Sequence, residues 1–161
     1  MKEILLTQNK VALVDDEDYE YLNQWHWHLT GISYAARGTF KKGIAKTVRM
    51  HNAIMNPPEG MVVDHIDHNG LNNQRSNLRI CSRKENRRNQ RGFFNSKSIY
   101  KGVAFGIDRR NKNEYTYIKA KIRFDGKVIN LGNFKTEKDA AIAYDKAAME
   151  HYGEFACLNF P

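Results

Sequence analysis

Apolar positions come in short clusters along this chain, with none long enough for a membrane span. Residues 3–6 and 11–14 read as two strands joined at Gln8-Asn9-Lys10. Asp15-Asp16-Glu17-Asp18 then opens a helix to about residue 24. Carboxylates in a first turn oppose the positive end of the helix dipole, so the acidic run reads as a solvated helix start rather than a metal site. Trp25-His26-Trp27-His28-Leu29 alternates with the period of a half-buried strand and places both tryptophans in the core. Residues 34–39 and 44–49 form a hairpin closed by Lys41-Lys42-Gly43, and 51–55 form a short helix stopped by Asn56-Pro57-Pro58.

The next stretch, residues 61–91, organises the reading. Met61-Val62-Val63 ends in Asp64-His65; a turn-rich loop with Asn69-Gly70 and Asn72-Asn73 follows, then a strand over 77–81. Ser82-Arg83-Lys84-Glu85 has the S-x-x-E form of a capping box and opens a helix. The order is strand, loop, strand, helix. Leu78 and Ile80 are expected to face the core, which turns Arg79 toward a substrate. A hard cation such as Mg²⁺ takes carboxylate and amide oxygens, which Asp64 and Asn86 supply. His65 titrates near neutral pH and can take a proton from an attacking water.

Beyond a linker at residues 92–98, where Phe93 and Phe94 suggest partial docking, three strands are expected over 102–107, 115–124 and 127–134, with Asp125-Gly126 as a two-residue hairpin turn. In the middle strand Ile118, Ala120, Ile122 and Phe124 share one face, while Tyr117, Lys119, Lys121 and Arg123 share the other. A helix from Thr136, with an alanine-rich face, packs on the apolar side. The fold class is α+β: a small N-terminal α+β region with a ββα hairpin, then a three-stranded antiparallel sheet on one helix. The expected division is 1–91, linker 92–98, and 99–161.

Charge adds a partner. The formal net charge of +8 is uneven: seven basic and seven acidic residues over 1–60, eight and three over 61–98, eleven and eight over 99–161. The excess on the ββα stretch favours a polyanion. Arg83, Lys84, Arg87 and Arg88 follow the hairpin and suit phosphates. Cys81 and Cys157, the two cysteines, read as reduced thiols of an intracellular protein.

Asp64, His65, Asn77 and Asn86 together resemble the HNH nuclease family, in the phage and intron homing form whose last His is Asn. The likeness covers about residues 49–89. It implies that His65 is the general base, that Asp64 and Asn86 hold one divalent metal, Mg²⁺ or Mn²⁺, and that Asn77 bonds across the hairpin to orient His65. His51 matches a histidine preceding the hairpin in that family, with a core role or a phosphate contact as its two readings. The paired C-x-x-C motifs of zinc-bearing members are absent, so no structural zinc is expected. Tyr100-Lys101-Gly102-Val103, Leu131-Gly132-Asn133-Phe134, the stretch 140–148 and Leu158-Asn159-Phe160-Pro161 resemble the plant ethylene-response (Apetala-type) DNA-binding domain. That likeness implies a sheet that reads DNA, through Lys101, Tyr117, Lys119, Lys121 and Arg123. Ala104 and Asn130 stand where plant members carry Arg and Trp, so the family's target sequence does not transfer.

The expected function is a site-directed homing endonuclease of double-stranded DNA, phage- or intron-encoded, that nicks as a monomer to leave a 5′ phosphate and a 3′ hydroxyl, without a membrane partner. A non-catalytic DNA-binding regulator and a non-specific DNase are the competing readings.

Overall fold

The computed structural model describes residues 1–31, 33–41, 43–92, 96–108 and 115–161. They form two compact units, Met1–Asn86 and Arg87–Pro161. In the first, β1 (Lys2–Leu5) and β2 (Val11–Val14) pair antiparallel. Helix α1 (Asp16–Leu22) follows, and then the sheet of β3 (His28–Thr30), β4 (Tyr34–Lys41) and β5 (Ile44–Arg49) in that order. Helix α2 (Met50–Met55) runs directly on from β5. The ββα portion is β6 (Val62–His65), β7 (Leu78–Cys81) and α3 (Arg83–Asn89). Ile4, Val14, Leu22, Trp27, Met50 and Leu78 lie in one core beneath these elements.

Local pattern and tertiary placement part company at three points. The expected strand over residues 25–29 is shorter and later: Trp27 makes only an isolated bridge to Leu6 before β3 begins at His28. Trp27 is buried and donates its indole N–H to Leu22 O at 2.8 Å, whereas Trp25 is half-buried with the Arg37 guanidinium over its ring. In β7, Leu78 is buried as expected, but Ile80 is 37% exposed and Cys81 takes the buried place. The acidic run is not merely solvated. Asp15 accepts from the backbone N–H of Arg75 at 2.8 Å and from Gln74 Nε2 at 3.2 Å. Asp18, only 7% exposed, takes Arg75 Nε and Nη2 at 2.8 and 2.7 Å. The partner lies 57 residues downstream, beyond the reach of any local pattern.

That latch fixes the loop between β6 and β7. The same loop is stitched to β2 by Leu13 N–H to Leu71 O and Asn73 N–H to Leu13 O, both 2.8 Å.

In the second unit β8 (Val103–Asp108), β9 (Tyr115–Phe124) and β10 (Lys127–Phe134) form an antiparallel sheet with β9 central. Asp125 and Gly126 both have positive φ, as a type I′ turn requires. Helix α4 (Glu137–Tyr152) is capped by Thr136, whose hydroxyl accepts from Asp139 N–H. Fully buried Ala140, Ala141 and Ala148 let it approach the sheet, against Ala120 and Ile122 of β9. Gly102 has φ +80°, and a Cβ there would meet the buried Tyr144 ring at 1.9 Å, so glycine is required on both counts. In the expected linker, Ser98 is buried and donates to Glu137 Oε2 at 2.6 Å, so it belongs to this unit; Phe93, Phe94 and Asn95 lie outside the described residues.

Removing one end of the latch is a direct test of its weight. Arg75→Ala leaves the buried Asp18 carboxylate without its guanidinium, and urea denaturation is expected to show a loss of about 1–3 kcal/mol. An unchanged midpoint would mean that the latch contributes nothing to stability.

Candidate active site

The β6–β7 register sets Asp64 opposite Arg79 and His65 opposite Leu78. Because side chains alternate along a strand, Asp64 and His65 leave on opposite faces. Asp64 is 6% exposed, and its Oδ2 accepts from Arg79 Nε at 3.0 Å and Nη2 at 2.8 Å. Arg79, expected to reach toward substrate, is thus ion-paired on the hairpin itself. The buried Cys81 thiol lies between Asp64 and the start of α3: it feels the Asp64 carboxylate and takes a bond from Asn86 N–H, while burial pushes its pKa up. Asn86 sits in the first turn of α3, its N–H also directed at Ser82 O at 3.0 Å. The capping box that starts this helix is formed as expected: Ser82 N–H donates to Glu85 Oε2 at 2.8 Å, and Glu85 N–H donates to Ser82 Oγ at 3.2 Å.

On the other face His65 is buried among rings and amides. Its Nε2 is 3.5 Å from Asn73 Oδ1, with Asn73 fully buried. The Asn73 amide donates its own N–H to Gly70 O, which turns the oxygen toward His65. The His51 ring meets His65 edge-on at 4.9 Å, and Tyr34 lies 5.7 Å from His65. Burial holds the His65 pKa below its ordinary value, against the Asn73 oxygen and the carboxylates of Asp67 and Asp64, which favour the charged form. The imidazole is therefore neutral at pH 7, the state a proton acceptor needs.

The Asn77 side chain bonds to the loop rather than to the His65 ring. Its Nδ2 donates to Asp67 Oδ1 at 2.9 Å and Asn72 O at 2.8 Å, and its Oδ1 accepts from Asp67 N–H at 3.0 Å. It shapes the loop that begins at His65, while Asn73 is the amide facing the imidazole. Nothing in the local pattern separated Asn73 from its neighbours Asn72 and Gln74; only the bridge to β2 marks it out. Burial opposes ionisation of Asp67, but donors from Asn72, Asn69 and Asn77 outweigh it and hold its pKa low.

No group of three or more His, Cys, Asp and Glu that could hold a metal occurs among the described residues. The donor set at hand is a carboxylate and an amide, Asp64 and Asn86. These are hard oxygens of the kind that bind Mg²⁺ together with water and phosphate, so the residues fit such an ion by their chemistry.

The basic residues divide by environment. Arg83, Lys84 and Arg87 are exposed on α3, and Lys121 and Arg123 are exposed on β9. Tyr117 is half-buried and lies across Gly106, where a Cβ would meet its ring at 2.3 Å; Lys119 Nζ is 5.8 Å from the same ring. Two expected contacts serve the frame instead. Lys101 spends its ammonium on Arg88 O and Gln90 O at 2.6 and 2.5 Å, so it caps the end of α3, and burial lowers its pKa. The Arg88 guanidinium lies over the rings of Tyr152 and Phe124.

His51 gives the site a measurable pH signature. Burial, then the neighbouring His65 and Arg49, pushes its pKa down to about 3 from 6.5. The unfolded chain therefore binds a proton that the folded chain refuses. This stability is complete above pH 6.5 and is lost as pH falls toward 3. Between pH 7 and pH 5 the loss is roughly 2 kcal/mol. Urea midpoints should fall over that interval, and fall less in His51→Phe, which cannot titrate. Equal pH dependence in both proteins would exclude a buried neutral His51.

A family model described as HNH endonuclease matches residues 56–88, which hold Asp64, His65, Asn77 and Asn86. An uncharacterized HNH endonuclease of Acanthamoeba polyphaga mimivirus is 30% identical over 154 residues, covering 92% of this chain and 74% of the viral one. The ethylene-responsive transcription factor WRI1 of Arabidopsis thaliana is 38% identical over 74 residues, 46% of this chain but 16% of that protein. The dehydration-responsive element-binding protein 2D of the same plant is 36% identical over 94 residues, 57% of this chain and 42% of that protein. No solved structure matches the chain. With the viral relative aligned along most of both chains and the ββα segment matched by its family, the chain belongs to the HNH endonuclease family.

Proposed function

We propose that the protein is a metal-dependent, site-directed endonuclease of double-stranded DNA, of the homing type, which nicks as a monomer. The observation that carries the reading is a buried His65 imidazole, held against Asn73 Oδ1 and the His51 ring, next in the chain to the Asp64 carboxylate on a ββα hairpin. Asn73 holds the imidazole in orientation through its amide oxygen, which favours a proton on Nε2 and leaves Nδ1 as the base. His65 takes the proton from water as it attacks phosphorus in line. Asn77 keeps the loop shaped so that His65 does not swing away. Asp64 and Asn86 would hold a divalent cation, Mg²⁺ or Mn²⁺. Bound there, such an ion polarises the phosphodiester and stabilises charge on the departing 3′ oxygen. The products are a 5′ phosphate and a 3′ hydroxyl.

Arg79 has a dual role in this reading. It neutralises Asp64 before the ion arrives, and on release from Asp64 its guanidinium would pair with the scissile phosphate. Arg83, Lys84 and Arg87 grip neighbouring phosphates, which positions the duplex without reading sequence. The second unit supplies site preference through Tyr117, Lys119, Lys121 and Arg123. Its similarity to plant transcription factors supports that assignment.

Supercoiled plasmid is the substrate for the test. Wild-type protein with Mg²⁺ is expected to convert it to nicked circles, and EDTA to stop the reaction. His65→Ala should slow nicking by at least about 100-fold while duplex affinity stays the same. Cleavage that survives the substitution assigns the base elsewhere. A wild-type protein that binds DNA but never cuts it would favour the DNA-binding regulator.

A further inference from the structure

The segment from Tyr21 to Pro58 contains no Asp or Glu, yet carries Arg37, Lys41, Lys42, Lys46 and Arg49. Five of the seven basic residues in the first sixty therefore fall within residues 37–49, while the acidic residues of that region lie outside that stretch. A net charge of zero over residues 1–60 conceals this separation.

The hairpin register sorts the side chains. Gly38 pairs with Thr47, Phe40 with Ala45 and Ala36 with Arg49, so Tyr34, Ala36, Gly38 and Phe40 share a face with Arg49, Thr47 and Ala45. One end of that face is at the catalytic imidazole: Tyr34 contacts His51 and His65, and the Arg49 guanidinium lies 5.4 Å over the Tyr34 ring. At the other end Phe40 is 77% exposed, flanked on its own face, among the described residues, by the small side chains of Gly38 and Ala45. From Tyr34 to Phe40 are six strand steps, about 20 Å at a rise of ~3.3 Å each. A duplex advances by about six base pairs over that length.

We infer that the β4–β5 ribbon is a DNA-gripping arm of the nuclease unit, lying along the duplex to one side of the cut and seating Phe40 against the bases about six base pairs away. Its occupant is duplex DNA, because an acid-free ribbon carrying Arg49 on the Phe40 face and exposed Lys46 on the other complements a phosphate backbone, and the Phe40 face is continuous with the proposed cleavage site. A β-ribbon fits the major groove, and an apolar side chain against a base step is a recognised way of gripping or bending DNA. A lysine on the free edge strand β5 also guards against edge-to-edge aggregation. That role accounts for Lys46 but not for an aromatic ring held clear of the fold, nor for Arg49 turned toward Tyr34 beside His65.

The location relative to the cut rests on the nuclease reading; the arm itself does not, and the test separates them. Both natural cysteines, Cys81 and Cys157, are buried, so Phe40→Cys in the full chain offers one accessible thiol for a tethered iron chelate. On a DNA fragment carrying the mapped nick, chelate-directed strand breaks are expected about six base pairs to one side of it. Breaks centred on the nick, or no breaks, overturn the inference. In EDTA, Phe40→Ala should bind duplex roughly five- to hundredfold more weakly, as lost base–aromatic contact does. Lys46→Ala should reduce the salt slope by about one. Unchanged affinity and slope in these exposed-site variants also overturn the arm. A wild-type chain that never nicks, with Phe40→Ala still weakening binding, overturns the nuclease reading and leaves the arm supported.

Discussion

A short polar loop has to hold an imidazole still, and Asn77 is what makes that possible. Its side chain closes the loop after His65 with three hydrogen bonds, two to Asp67 and one to Asn72 O. Polar backbone of this kind has no core of its own, and every buried N–H and C=O must find a partner. Asn77 and Asp67 satisfy the loop from within, while Asp15 and Asp18 satisfy it from outside through Gln74 and Arg75. With both in place, Asn73 is driven into the interior and meets His65. The N-terminal elements are therefore part of the site's support, although none of their side chains carries the proposed chemistry.

The hairpin separates two kinds of environment on its two faces. The Asp64 face is ionic, with Arg79 countering the carboxylate in a nearly buried pair. A buried pair of this kind is costly to break from one side, which ties the two residues together. The His65 face is aromatic and amide-lined, and burial there keeps the imidazole neutral. Placing a carboxylate and a neutral base on adjacent residues without bonding them to each other is a consequence of strand alternation.

Much of this was legible in the chain itself. The apolar clusters foretold the strands because each is short and bounded by turn residues. The Ser82–Glu85 capping box and the Asp125-Gly126 turn were readable because their chemistry is local. The two faces of β9 followed from simple alternation, with Ala120 and Ile122 buried and Lys121 and Arg123 exposed. What escaped was everything decided by distant partners. The Asp18–Arg75 pair and the bond from Asn73 N–H to Leu13 O join residues that no window contains, and the Lys101 cap depends on where the chain turns back onto Arg88 O. Charge counting failed in the same way: a lysine and an arginine expected on a DNA surface, Lys101 and Arg88, are held by carbonyls and rings.

The central claim is that Asp64 and Asn86 share one cation next to His65. Anomalous diffraction from crystals of the protein soaked in Mn²⁺ tests it most directly. The account predicts a single peak within bonding distance of the Asp64 carboxylate and the Asn86 amide oxygen, with Arg79 displaced from Oδ2 or moved to share it. A peak bound by other residues, or none while Asp64 keeps its two bonds to Arg79, would contradict it.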